Sequence, residues 1–384
     1  MSLRQQQNLC FVLMFALVQI KVAGAAQPEK KPVFEHDAKL SEPTSIAASE
    51  GWSPYFASSG IVFLSDQTVA EYVLRSQEGS LLQRHERQVT DGYMLTITLF
   101  DLEQKKAVAK NDIAVPGRFV RLFRSKDGNL ILCTQSWIAL LSPALQELQQ
   151  VRVSERFGNE QVLPAVDIDG EHLYLAGDSA GQCPNLVQVL EADSLVTQGW
   201  WCLKEKAQDA FYGDTAVQYH ERRDSILQIY RNGSQSATIH PSGLIVAAQA
   251  ISLPGNLLLV SNGGSLLGYD LGKGEEFFAP VAQHWNIVSP ISCDVAGDNC
   301  AMALAIPKLD PFDVARKTTY KDVAVALVNS RDGKVRFQQS IRNLFSNPSR
   351  IGMSDLSDIS VTVAPDGKYV GVWHGSTWEV YPAQ

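Results

Sequence analysis

Val361-Thr-Val-Ala-Pro-Asp-Gly-Lys-Tyr-Val-Gly-Val-Trp373 reads as two short strands folded back on a tight turn. Val, Thr, Tyr and Trp suit a pleated, half-buried surface, and Asp366-Gly367 supplies the positive backbone angles that a two-residue hairpin turn demands. The same pattern stands at Leu122 to Leu132 around Asp127-Gly128, and at Val166 to Leu175 around Asp169-Gly170. Ala250 to Val260 replaces it with Pro254-Gly255-Asn256, and Cys293 to Ala303 turns at Ala296-Gly297. A further apolar strand ending in a polar turn follows each hairpin, as in Met94–Asp101, Ile138–Leu145, Leu186–Ser194, Ser265–Leu271 and Val323–Gly333.

Corresponding turns recur at intervals of roughly 40 to 50 residues, the length of a four-stranded unit. The units fall at 52–115, 116–158, 159–205, 206–245, 246–285, 286–343 and 344–384. No stretch longer than a turn or two keeps apolar residues at helical spacing, Leu81–Arg87 and Asp310–Lys317 being the candidates for short helical turns. A flat sheet of some 28 strands would expose long unpaired edges, whereas radial repetition leaves only short ones. The predicted fold is therefore all-β: a β-propeller of seven four-stranded blades, with six or eight the neighbouring counts and a β-sandwich the competing architecture.

The segment Pro365-Asp366-Gly367-Lys368-Tyr369-Val370 and its looser copies resemble WD40/YVTN-type β-propeller repeats over nearly the whole chain. The Gly-His and Trp-Asp pairs of true WD40 blades are missing. What the resemblance implies is the fold, since propellers serve both as enzymes and as binding platforms.

At the N-terminus, Arg4 precedes a twelve-residue apolar run, Leu9 to Ile20, and then Ala23-Gly24-Ala25. This is the pattern of a signal peptide cleaved after Ala25, and the run is too short for the ~20 residues that cross a bilayer. Residues 1–25 are assigned to that peptide, 26–43 to a flexible leader rich in Pro, Lys and Glu, and 44–384 to one propeller domain. Export makes the expected location secreted or periplasmic, with no transmembrane segment after cleavage. The remaining 359 residues carry 31 basic and 41 acidic side chains, a net charge of −10, which argues against nucleic acid as a partner. The last strand, near Trp378–Tyr381, needs a partner, and Thr44–Ala48 or Trp52–Ala57 is predicted to supply it.

Cys10 leaves with the signal peptide, and five cysteines remain. A turn centred on Ala192-Asp193 places Cys183 opposite Cys202, and one at Ala296-Gly297 places Cys293 opposite Cys300. Opposed strand residues lie within reach of a disulfide, and an oxidising compartment favours the bond. Both pairs are therefore predicted disulfides, and Cys133, in an apolar run, a buried free thiol. The histidines 36, 85, 172, 220, 240, 284 and 374 are scattered without ligand spacing. Asp167-Ile-Asp-Gly-Glu171 lacks the alternating oxygen ligands of a calcium loop and reads as a turn.

No catalytic elbow, phosphate loop or paired-carboxylate pattern stands in the sequence, so no metal and no cofactor is expected and no catalytic residue is assigned. Trp200, Trp201, Trp373 and Trp378 read as blade packing. The long insertion from Pro307 to Asp322 reads as a solvated loop. The functional expectation is a non-enzymatic binding or scaffold module for a protein, peptide or glycan. The alternatives are a propeller enzyme of the quinone-dependent dehydrogenase or lactone hydrolase type, with its site on the central channel, and a purely structural envelope protein.

Overall fold

The alternation in these segments becomes seven small antiparallel sheets. The structure, a computed structural model, describes residues 30–38, 59–76, 93–117, 119–158, 162–179, 183–204, 208–220, 226–240, 251–262, 265–280, 286–308, 319–341, 359–374 and 377–383. Pro32–Gln384 forms one compact unit. No helix occurs among the described residues, so none is long and apolar enough to cross a membrane.

β1 (Phe34–Asp37) stands apart in sequence from the first complete blade. Blade I is β2 to β5 (Ser59–Phe63, Thr68–Ser76, Tyr93–Asp101, Lys106–Val115). Blade II is β6 to β9 (Val120–Arg124, Leu130–Thr134, Trp137–Leu141, Glu147–Arg152). Blade III is β10 to β13 (Leu163–Val166, His172–Gly177, Asn185–Glu191, Thr197–Leu203). Blade IV is β14 to β17 (Gln208–Tyr212, Thr215–His220, Ile226–Arg231, Ser234–Ile239), and blade V is β18 to β21 (Ile251–Ser252, Leu257–Asn262, Ser265–Asp270, Glu275–Pro280). In blade VI the first strand is split into β22 (Asn286–Ile287) and β23 (Ser292–Cys293), both paired with β24 (Asn299–Lys308) and followed by β25 (Thr319–Asn329) and β26 (Val335–Ser340). Blade VII holds β27 to β29 (Ile359–Val363, Tyr369–His374, Thr377–Pro382), with β1 as its fourth strand.

First strands meet first strands around the ring. β27 touches β2, β2 touches β6, β6 touches β10, β10 touches β14 and β14 touches β18, while blade VI bridges blades V and VII through β22 and β23. The last strands lie outermost: nearly every residue of Glu147–Arg152 and Ser234–Ile239 is exposed. The core lies between blades, where both faces of the second and third strands are covered. Ile131, Ile138 and Leu173 of blades II and III share one cluster, and Leu258, Val217 and Leu227 of blades IV and V share another.

The turn glycines are required by packing as well as by angle. Gly170 has φ +77°, and a Cβ there would lie 2.6 Å from the Lys126 amide of blade II. Gly367 has φ +73°, and its Cβ would lie 2.6 Å from Asp294 Oδ2 of blade VI. Each turn is pressed onto its neighbour's, so a side chain would separate two blades as well as strain one turn.

The strand that completes blade VII is Phe34–Asp37, in the stretch expected to be a flexible leader. Phe34 lies opposite Val380, Glu35 opposite Glu379, His36 opposite Trp378 and Asp37 opposite Thr377. Thr44–Ala48 and Trp52–Ala57, the expected partners, lie outside the described residues, as do Leu81–Arg87 and Asp310–Lys317. Side-chain chemistry favours Phe34–Asp37. Phe34 stacks on Trp378 with centroids 4.8 Å apart, and Phe100 of blade I meets the Trp378 ring edge-on at 5.3 Å. The fully buried Trp378 donates its indole N–H to Oε2 of Glu71, itself 5 % exposed, at 2.7 Å. A single buried side chain thus joins the N-terminal strand, the last strand and blade I.

Trp378→Ala is expected to cost about 3–5 kcal/mol, the range for emptying a large aromatic site. Because closure supports every blade, far-UV and near-UV circular dichroism should lose their signals in one coincident transition, shifted to lower temperature. A separate early transition would indicate that blade VII frays alone.

Candidate functional site

The first-to-second-strand turns, and in blades I to VI the third-to-fourth-strand turns, open on one face of the ring. The turns are short and rich in Asp. In blade III the chain leaves β10 at Asp167, whose side chain is 1 % exposed. Its Oδ1 accepts the His172 amide at 2.9 Å, and its Oδ2 lies 2.8 Å from His172 Nδ1 and 3.4 Å from the Tyr174 hydroxyl. Tyr174 donates at 2.9 Å to the Gly213 carbonyl of blade IV. Blade VI repeats the device: Asp294 accepts the amides of Asp298 and Asn299 at 2.9 and 3.2 Å and the Asn299 side-chain amide at 2.5 Å. In blade II, Ser125 Oγ accepts the Asn129 amide at 3.1 Å. Asp167–His172 is thus the blade III version of a repeated turn closure, with His172 where blade VI has Asn299.

A second layer binds turn to turn. Asp193, between β12 and β13, accepts hydrogen bonds from the Ser125 hydroxyl, from the Asp127 amide at 3.1 Å and from the Asn129 side chain at 3.0 Å. The Lys126 amide donates to the Gly170 carbonyl at 2.8 Å, and its ammonium pairs with Glu171.

Between these turns, over blade III, lies an open groove of about 610 Å³. Trp201 and Gly199 of β13 help form its lining, and five carboxylates do so too: Asp127, Glu171, Glu191, Asp193 and Asp214. Lys126 answers Glu171, and Arg231 answers Asp214 at 3.0 Å. The Glu191 carboxylate accepts the Ser194 hydroxyl at 2.6 Å, and no ion pair reaches it among the described residues. The groove therefore carries an excess of negative charge, with His172 at its edge.

The local field shifts several groups. The hydrogen bond to Asp167 raises the His172 pKa above its ordinary value, against the effect of burial, and neighbouring Glu171 and Asp169 add to the rise. Burial and the nearby Asp167 carboxylate raise Asp169, and burial together with Asp169 raises Tyr212. Arg124, on the first strand of blade II, is lowered by burial but feels Asp66, Asp169 and Asp193 from the turns around it.

Both cysteine pairs stand at disulfide distance, with Cα separations of 5.7 Å for Cys183–Cys202 and 4.0 Å for Cys293–Cys300. Cys293 is directly opposed to Cys300, as the turn centre implied. Cys202 instead faces Leu186, because the turn is centred on Asp193-Ser194, one residue later than expected, and a bulge at Val189/Leu190 shifts the register once more; Cys183 therefore reaches it from beyond the strand end. Cys133 is buried without a disulfide partner, and burial pushes its thiol pKa well up.

His36 lies in β1, 3.5 Å from Glu71, and the buried His374 lies 3.5 Å from Glu379. Trp373 and Trp378 are core residues, whereas Trp200 is partly exposed with the Arg156 guanidinium 4.7 Å above its ring. His85 and His284 lie outside the described residues. Among the described residues no three His, Cys, Asp or Glu side chains converge as a metal site. The groove itself was not legible in the sequence, since its acids come from three blades.

No family model matches the sequence, and no curated protein does. Solved structures match in fold. A chain of the mitotic checkpoint complex aligns over 92 % of both chains with TM-score 0.55 and 11 % identity. The WD40 β-propeller domain of Doa1 aligns over 84 % of this chain and 92 % of that one, with TM-score 0.50 and 9 % identity. Hydrazine synthase of Kuenenia stuttgartiensis aligns over 65 % and 72 %, with TM-score 0.43 and 16 % identity. The chain has the WD40-type propeller fold.

The raised His172 value makes a testable linkage. Its stabilising contribution is full below the unfolded imidazole value of ~6.5 and is lost as pH rises through the folded value. In Asp167→Asn the His172 midpoint, followed by NMR of the imidazole C2 proton, is expected to fall toward ~6.5. An unchanged midpoint would mean that Asp167 does not hold the imidazolium.

Proposed function

We propose that this propeller is an exported binding module, acting without catalysis, that takes a peptide segment bearing lysine or arginine in the groove over blade III. The observation that carries this reading is the groove's surplus of carboxylates. Asp127 and Glu191 have no cationic partner among the ion pairs of the described residues, while Lys126 and Arg231 are engaged by Glu171 and Asp214. A concave acidic surface raises the local concentration of cationic groups and selects against anionic ones.

The polar groups beside the groove already serve the fold. Asp167 closes a turn, Asp193 ties blade III to blade II, and Tyr174 ties it to blade IV. A set of donors and acceptors engaged in this way favours recognition over proton transfer. Export rests on the apolar N-terminal run and its Ala23-Gly24-Ala25 site, supported by the two cysteine pairs at disulfide distance. The propeller enzyme reading would need reactive groups on the central axis. Arg124, close to the axis, is surrounded by carboxylates that answer its charge.

Fluorescence anisotropy with a labelled decalysine peptide at low salt tests the proposal. Wild-type protein is expected to bind, with affinity falling as salt rises. Asp127→Lys combined with Glu191→Lys should weaken binding by about tenfold or more, equivalent to ~1.4 kcal/mol. The control Glu35→Lys with Glu155→Lys, two exposed positions away from the groove, should leave it nearly unchanged. Equal loss in both variants would reduce the effect to net charge and remove the groove from the account.

A further inference from the structure

The two ends of the chain close the ring noncovalently inside blade VII, where β1 pairs with β29, and two carboxyl sites lie where that blade meets blade I. The first is the buried Glu71 on β3, hydrogen-bonded to Trp378 of the apolar cluster that also holds Phe34, Val69, Val73 and Phe100. The groups facing it are the Trp378 indole N–H at 2.7 Å from β29, His36 at 3.5 Å and Asp37 from β1, and Arg75 one turn of pleat along its own strand. The second is Asp66, in the turn between β2 and β3, whose Oδ1 accepts the Asp366 amide of blade VII at 3.0 Å. Its carboxyl also meets the Asp366 carboxyl, which is paired with Lys368, and Arg124 faces Asp66 from blade II.

We propose that this junction is a pH-responsive clasp, closed most firmly in mildly acidic solution and loosened toward neutrality. At Glu71, an ionised carboxylate lies beside an apolar cluster with one indole N–H, one partly exposed imidazole and the exposed Arg75 to balance it; a neutral carboxyl would accept the same indole hydrogen bond without the cost of a buried charge. At Asp66, two carboxyl groups side by side cannot both ionise without repulsion, and one proton between them makes a hydrogen bond across the junction. Lys368 fixes the negative charge on Asp366, so the proton resides on Asp66.

The electrostatics agree in sign. Burial raises Glu71 and Asp66 above the ordinary carboxylate range, with the Asp366 carboxyl adding to the rise at Asp66. Asp366 is held low by Lys368 against the effect of burial. Groups with raised folded values stabilise fully below the unfolded carboxylate value of ~4 and lose that contribution as pH climbs through the folded value. Asp366 contributes above the unfolded value and is lost only on stronger acidification. The best-closed state thus holds protons on Glu71 and Asp66 but none on Asp366. That state belongs to mildly acidic solution.

Hydrogen exchange of the full chain at pH 5 and pH 7.5, corrected for intrinsic rates, reads the clasp directly in peptides covering residues 34–37 and 377–382. Protection there should be greater at pH 5, by roughly threefold or more, because loss of the protons on Glu71 and Asp66 favours the open junction. Residues 265–270 of blade V, remote from the junction and from His172, serve as the internal reference. Glu71→Gln with Asp66→Asn, which mimic the protonated groups, should carry acid-like protection to pH 7.5 and abolish the dependence. Asp66→Asn alone, a change at the protein surface, should remove part of it even if the buried substitution prevents folding. Protection in wild type that does not change with pH, or a dependence that survives in the variants, would overturn the proposal.

Discussion

A ring of blades joined head to tail has one junction that the chain does not cross, and the fold depends on what holds it. Here four residues, Phe34–Asp37, pair with the last strand inside the same sheet. The backbone ladder alone would be slight. Trp378 turns it into a lock by stacking on Phe34, meeting Phe100 and donating to Glu71. Burying a carboxylate is costly, and it is tolerated because the indole N–H gives it a fixed partner. The same arrangement leaves a buried carboxyl group at the closure of the ring.

The chemistry of the exposed turn face follows from the demands of the turns. Asp at the start of a hairpin can accept the amides that the turn leaves unpaired, and Gly after it permits both the angle and the close approach of the next blade. Repeating this device around a ring gathers carboxylates on one face. Most of them are spent: Asp167 and Asp294 on their own turns, Asp193 on its neighbour, Asp214 on Arg231. What remains unspent at the groove over blade III is a property of three blades together, and that residue of charge is what a partner would meet.

This division explains what could be read in advance. Asp127-Gly128, Asp169-Gly170 and Asp366-Gly367 mark hairpins because turn chemistry is local; such turns led to seven blades, and the one at Ala296-Gly297 to the opposition of Cys293 to Cys300. The closing strand was misplaced because Phe34-Glu-His-Asp37 is too short to show a pattern, and what selects it is Trp378, more than 300 residues away. The register at Cys202 was displaced by a turn centred on Asp193-Ser194 and by a bulge at Val189/Leu190 that no residue announces. Glu191, Asp127 and Asp214 were invisible as a site for the same reason: blades that are distant in sequence are neighbours only after the ring has closed.

The most direct measurement is thermal unfolding of a chain beginning at residue 39, compared with one beginning at residue 26. If Phe34–Asp37 closes the ring, removing it lowers the single cooperative transition by well over 2 °C, because at ~2.1 cal/mol/K per residue a stability loss above ~1.5 kcal/mol moves a domain of this size by that much. A truncated protein that melts within about 2 °C of the longer chain, again in one transition, would contradict closure by the N-terminal strand.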